Sequence, residues 1–221
     1  MKKICFVGLD GSGKSTCVDF ASNWLKENGI KHKRVRAAYV LKYIAPLIKL
    51  AKLIILNKRS SFDGNYKEYL QVMREKSGNK LTYLVYKRIV KLEYDLQIFF
   101  NIILPSILGY SLVIDRYIFD NAVTMAANTN RGINDINNTL HTMWKKAPKT
   151  DCTIYIETPV DVCMSRKNDI PDRLYLDIRK PLYDRLAAER GFIVISGEQP
   201  KDAMFKEISA VLEVLYARDK Q

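Results

Sequence analysis

Three groups of residues in this chain have the types and spacing that phosphate chemistry needs. The first is Gly8-Leu9-Asp10-Gly11-Ser12-Gly13-Lys14-Ser15-Thr16, where two glycines bracket four residues and Lys-Ser follows. Glycines at positions 8, 11 and 13 accept backbone angles closed to other residues, so successive N–H groups can converge on phosphate oxygens at a helix start. Lys14 would then reach the terminal phosphates, and the Ser15 hydroxyl would ligate Mg²⁺. The second group, Asp115-Arg116-Tyr117, follows the apolar run Ser111-Leu112-Val113-Ile114. A carboxylate there can hold a metal-bound water or the substrate, and the guanidinium can clamp an anion with two prongs. Taken alone, the same pair also reads as a cap for the next helix. The third group is Arg166, Lys167 and Arg173, which flank the polar stretch Asn168-Asp169-Ile170-Pro171. A mobile cationic lid of this kind neutralises charge on a transferring group, whereas the plainer reading is a solvated basic loop.

These groups need particular elements to carry them. Lys2 to Val7 holds the apolar run of a buried parallel strand, and Cys17, Val18, Phe20, Ala21, Trp24 and Leu25 recur at helical spacing up to Gly29. Strand, glycine loop and helix therefore come in the order a phosphate site demands. Asp115 falls at the carboxyl end of a second short apolar strand, where ligands bind in open α/β sheets. The candidate strands are Lys3 to Val7, Arg34 to Tyr39, Leu112 to Ile114, Thr153 to Ile156 and Phe192 to Ile195. They predict a three-layer α/β phosphate-loop NTPase fold, with about five parallel strands and helices on both faces. We expect one domain over residues 1–221, with a short lid at about 166–173. Ser60 to Asn65 reads as a polar turn. A long helical region runs from Tyr66, breaks near Ser77-Gly78-Asn79, and is closed by Pro105 and Gly109.

Composition narrows the chemistry. The net charge of +12 suits an anionic small molecule such as a nucleotide. Scattered lysines more often mark a solvated face, so nucleic acid is not the expected partner. With only His32 and His141, a histidine metal site or triad is not expected. The four cysteines lie far apart without a CxxC pair, which reads as reduced, packed thiols in a cytoplasmic protein. Tyr39 to Leu56 is rich in Ile and Leu but carries Lys42, Lys49, Lys52 and Pro46, which argues against a membrane span. A buried helix, a dimer interface and a helix lying on a bilayer surface remain open for residues 39–56.

The phosphate loop with Asp10, followed by Asp115-Arg116-Tyr117, resembles the thymidylate kinase family of nucleoside monophosphate kinases. Pro148 to Glu157 is similar to the family's fourth strand, and Thr158 to Arg166 resembles its next helix. Asp172-Arg173 resembles the lid, and Ser196-Gly197-Glu198-Gln199-Pro200 resembles the loop over the adenine. The resemblance implies ATP·Mg²⁺ as donor, dTMP as first acceptor and a homodimer packed through helices. It implies that Lys14 and Ser15 bind donor phosphate and metal, that Asp115 and Arg116 face the acceptor, and that Arg166 and Arg173 close the lid.

The departures concern the acceptor. Where the family carries an arginine that grips the monophosphate, this chain has Asp95 or Tyr94, and Arg88 lies one or two turns earlier. Arg36 sits near the end of the second strand, and the family's Arg-Glu-Pro-Gly loop is replaced by Arg36-Ala37-Ala38-Tyr39. Asp120 stands where a Ser is expected. A monophosphate is already ionised and wants cations around it, whereas a hydroxyl acceptor must lose a proton and gains from a carboxylate. Asp95 and Asp120 thus keep a sugar, nucleoside or lipid-linked hydroxyl open as the alternative. A nucleotide switch at a membrane is the third reading, although an Asp-x-x-Gly after the strand and an Asn-Lys-x-Asp guanine reader are both missing.

Overall fold

The structure is a computed structural model that describes residues 1–37, Tyr43 and 66–217. In chain order the elements are β1 (Lys3–Val7), α1 (Lys14–Glu27), β2 (His32–Val35), α2 (Tyr66–Gly78) and α3 (Lys80–Ile98). A π-helical turn (Phe99–Ile103), α4 (Leu104–Ile107), β3 (Ser111–Asp115), α5 (Ile118–Asn128) and α6 (Ile133–Met143) follow. β4 (Cys152–Glu157), α7 (Val160–Arg166), α8 (Arg173–Arg190), β5 (Ile193–Ser196) and α9 (Lys201–Ala217) complete the set.

The five strands form one parallel sheet in the order β2-β3-β1-β4-β5. Strand alternation sends Ile4, Phe6, Val113, Ile154, Ile156 and Ile195 to one face, where α1 and α9 cover them through Cys17, Val18, Leu25, Met204, Ile208 and Leu212. Cys5, Val7, Leu112, Ile114 and Tyr155 point the other way, under Tyr94 and Ile98 of α3, Met125 and Ala126 of α5, and Leu176 and Leu186 of α8. Strands so apolar on both sides are stable only when helices close both faces. Each large side chain removed from water this way contributes about 1.5–3 kcal/mol. The result is the three-layer phosphate-loop NTPase arrangement that the pattern predicts.

The topology positions the chemistry. The chain leaves β1 for β2 on one side of the sheet and leaves β3 for β4 on the other. The neighbouring tips of β1 and β3 therefore border the switch-point crevice. Phe6 pairs with Asp115 in the register, so the loop after β1 and the residues after β3 emerge side by side.

Two expectations need correction. The second strand begins at His32 and ends at Val35, because the Ala37 N–H leaves the ladder for the Arg116 carbonyl at 3.2 Å. Pro105 does not end the helical rod, which runs on to Ile107. A proline clashes with the carbonyl four residues back and supplies no N–H, and the π turn just ahead of it widens the backbone there. Gly109, with φ +83°, closes the rod. Ser60 to Asn65 and all of 39–56 except Tyr43 lie outside the described residues. The Tyr43 N–H donates to both Glu93 carboxylate oxygens at 3.1 and 3.0 Å, and its ring stacks on Phe100. No described helix is long and apolar enough to cross a membrane.

Candidate active site

The glycine loop turns from β1 into α1, which starts at Lys14. Gly11 adopts φ +84°, and a Cβ there would collide with the Cys163 carbonyl of α7, so position and angle both demand glycine. Ser12 is buried. Its N–H donates to the Leu9 carbonyl at 3.2 Å, and its own carbonyl accepts from the Thr158 hydroxyl at 3.2 Å. The Lys14 ammonium is buried too, donating to the Leu9 carbonyl and lying 3.4 Å from the Ser12 hydroxyl. Burial, then the nearby Arg116 charge, pulls the Lys14 pKa down to about 7 against the opposing carboxylates of Asp10, Asp120 and Asp115.

Arg116 sits at the centre of the arrangement. Its φ of +72° is unusual for a side-chain-bearing residue and costs about 1–3 kcal/mol, which the surroundings must impose. Three contacts do so. Its N–H donates to the Phe6 carbonyl at 3.2 Å, its carbonyl accepts from Ala37, and its guanidinium ion-pairs with Asp10 while standing 3.6 Å from Asp120. Asp10 also accepts from the Tyr175 hydroxyl at 2.9 Å and lies 3.8 Å from the Lys167 ammonium. Burial alone would raise its pKa, but Arg116, Lys14, the Tyr175 hydrogen bond and Lys167 bring it down to about 2. Asp10 therefore ties the glycine loop to the tip of β3 and to α8.

Asp120 is buried behind Arg116. It accepts from the Tyr183 hydroxyl at 2.8 Å and from the Tyr117 N–H at 3.0 Å, the latter a helix-start contact from the third helical position. Burial keeps its pKa raised despite Arg116 and Lys14. Asp115 differs, since it is buried yet its carboxylate makes no hydrogen bond or ion pair with the other described residues. Ser15, exposed at the start of α1, and Asp115, at the tip of the neighbouring strand β3, offer two hard oxygen donors. That donor set fits Mg²⁺, which takes one or two protein oxygens and completes its shell with phosphates and waters. No group of three or more potential ligands occurs among the described residues, so a metal here would share its shell with substrate.

The remaining candidates are dispersed. Thr16 is half-buried in the first turn of α1. Tyr117 is buried in the core and its hydroxyl donates to the Pro148 carbonyl at 3.0 Å, so it does not face the crevice. The Arg166 guanidinium donates to the Gly197 carbonyl at 2.9 Å. Arg173 is exposed and pairs with Asp161 and Asp177, while Asp172 caps α8 through the Leu174 N–H. Arg36 and Arg88 are exposed. Asp95 is exposed as well and pairs with Lys91, which removes it from any acceptor pocket shared with Asp120. Of the three cations expected in a lid, Lys167 is the one that reaches Asp10 among the described residues.

Tyr175, Tyr183, Lys167, Thr158 and Gly197 complete the surroundings. Tyr175 and Tyr183 are eight residues apart on α8, a same-face spacing visible in the sequence. Gly197 lies in the Ser196–Pro200 stretch whose resemblance to a family loop is noted above. Its N–H donates to the Glu157 carbonyl at 2.6 Å, and a Cβ would overlap the Thr158 hydroxyl and come within 2.9 Å of the Ser12 carbonyl. Gly197→Ala should therefore displace the glycine loop and weaken nucleotide affinity about tenfold, or 1.4 kcal/mol. Titration with a fluorescent ATP analogue checks this, and unchanged affinity would show that the contact is slack.

No family model matches the chain. The thymidylate kinase of Thermosipho africanus is 26% identical over 221 residues, which is 95% of this chain and 96% of that protein. The thymidylate kinase of Prochlorococcus marinus strain MIT 9301 is 25% identical over 222 residues, 96% of this chain and 95% of its own length. The probable thymidylate kinase of Methanothermobacter thermautotrophicus is 25% identical over 213 residues, covering 95% of this chain and 93% of that protein.

Proposed function

We propose that the chain is an ATP-dependent phosphotransferase of the thymidylate kinase type, a single kinase domain acting on a nucleoside monophosphate, with dTMP as first acceptor. The observation that carries this reading is the Asp10–Arg116 ion pair, which joins the donor loop to the β3 tip across one crevice. The near full-length likeness to thymidylate kinases supports it.

In this reading the loop N–H groups and Lys14 hold the donor phosphates, and Mg²⁺ at Ser15 and Asp115 would supply charge neutralisation. Arg116 turns its fork to the acceptor, and Asp10 keeps that fork aimed until substrate arrives. Arg173 leaves its exposed pairs with Asp161 and Asp177 as the lid closes, at little cost because solvent already screens exposed ion pairs. Arg166 and Lys167 close over the same phosphates. A second reading rests on the two carboxylates, Asp10 and Asp120, that already face Arg116. They leave the acceptor end less cationic than a dianion wants, which favours a hydroxyl with Asp115 as the base.

A transfer screen with ATP·Mg²⁺ against nucleoside monophosphates, nucleosides and sugars decides between them. Preferred transfer to dTMP is expected. Transfer only to hydroxyl acceptors would replace the first reading, and hydrolysis without transfer would remove both.

We place the enzyme in the cytoplasm, which suits its four free, buried cysteines. A second copy would pack on the α3–α4 rod, where Leu81, Leu92, Phe99, Ile107 and Leu108 expose apolar surface. Sedimentation should then give a dimer that Leu92→Glu dissociates, and a monomeric parent chain would exclude this packing.

A further inference from the structure

The segment that holds the Arg116 carbonyl is itself held by two side chains of the α3–α4 rod. The Arg116 N–H donates to the Phe6 carbonyl at 3.2 Å, and its carbonyl accepts from the Ala37 N–H at 3.2 Å. Its backbone thus hangs between the tip of β1 and the residues just past β2. Those residues are fixed in turn. The Asn101 amide donates to the Arg36 carbonyl at 3.0 Å, and the Tyr94 hydroxyl donates to the Ala37 carbonyl at 3.0 Å. Tyr94 and Asn101 are seven positions apart, close to two helical turns, so one face of the rod presents both. Asn101 lies inside the π turn Phe99–Ile103, a local widening of the helix that is frequent at functional sites.

The contacts run in series. The Arg36 carbonyl and the Ala37 N–H belong to one planar peptide unit, so Asn101, that unit and the Arg116 carbonyl form a continuous hydrogen-bonded line. Hydrogen bonds in a line polarise one another, and a rigid peptide passes on any displacement of its oxygen. Tyr94 fixes the other side of Ala37. Both residues are buried, and the Tyr94 ring stands T-shaped against Trp144 at 5.4 Å between centroids. Position 94 is also one of the two where the family carries its monophosphate-gripping arginine, and here the side chain holds backbone.

We propose that Tyr94 and Asn101 are positioning residues that act through Arg36 and Ala37 to keep the Arg116 fork aimed at the acceptor; this rests on the nucleoside monophosphate reading above. A φ of +72° is disfavoured for an arginine and persists only where neighbours over-determine it. Slackening the segment past β2 lets the Arg116 backbone turn back toward negative φ, which swings the fork away from Asp10 and Asp120.

Tyr94→Phe keeps the ring and removes only the hydroxyl, and Asn101→Ala removes an amide that is only half-buried. In each variant kcat/KM for dTMP should fall about fivefold, the weight of one hydrogen bond, while the ATP KM stays within about twofold of the parent value. A double-mutant cycle reads the route through Arg116. In an Arg116→Lys background, which has no fork to aim, Asn101→Ala should lower kcat/KM for dTMP by less than about twofold. A full fivefold loss in that background would overturn the inference, as would equal rises in the KM values of ATP and dTMP. A lowered urea midpoint with unchanged kcat/KM for dTMP in both single variants would reduce the two contacts to packing and overturn it too. Should Tyr94→Phe fold poorly, Asn101→Ala and its cycle decide alone. Transfer by the parent enzyme to no nucleoside monophosphate would instead overturn the function proposed above, and this inference with it.

Discussion

Replacing Lys14 by Ala is expected to lower phosphoryl transfer by at least about 10²–10³-fold, the usual cost of losing one preorganised group aimed at developing charge. The same variant should carry a second signature, because the Lys14 pKa sits near 7 in the chain alone. A triphosphate beside the ammonium favours its charged form, so binding between about pH 7 and the ordinary lysine value near 10.4 must take up a proton. Donor affinity should accordingly fall as pH rises through that window. Stability of the nucleotide-free chain should move the opposite way. The unfolded chain binds more protons than the folded one there, so unfolding free energy rises with pH above 7. Calorimetry of ATP analogue binding at pH 8 in two buffers of different ionisation enthalpy reads the proton directly. Lys14→Ala should abolish the uptake, and full transfer activity in that variant would take the loop out of the mechanism.

What the sequence revealed follows the length scale of the contacts. The glycine loop was legible because its parts are adjacent in the chain and the backbone alone builds the cradle. The sheet was legible because unbroken apolar runs have no stable home but a doubly covered layer. The partners of Asp10 were not legible, since Tyr175 lies 165 positions away and arrives only when α8 packs against the loop. Asp120 shows a subtler failure. Read as a pocket carboxylate, it is a helix-start residue whose spare oxygen holds Tyr183 and faces Arg116. Its place three residues after Tyr117 carried that helix-start signal all along. The close approach of Gly197 to Thr158 and Ser12 belongs to packing, where neighbouring elements decide what a residue touches.

Arg116 is where fold and chemistry meet, and its replacement should damage both. In Arg116→Ala, Asp10 and Asp120 lose the cation each faces, and a broken buried pair of this kind costs about 3–5 kcal/mol. Asp10 is partly exposed, which puts the expectation at the lower end, about 3 kcal/mol, read as a shift in the urea midpoint at unchanged slope. The acid limb gives an independent check. The Asp10 pKa is depressed to about 2, so in the parent chain its contribution is complete above its ordinary value of 3.8 and disappears only as pH falls through 2. Without Arg116 that value should climb back, leaving the variant's stability flatter between pH 4 and 2. Arg116→Lys separates the roles, because it keeps the charge but loses the fork that spans Asp10 and Asp120. Its stability should recover most of the loss while transfer stays at least about tenfold down, since a point charge cannot clamp an acceptor with two prongs. A lysine variant as active as the parent would show that Arg116 holds the crevice together without gripping the acceptor.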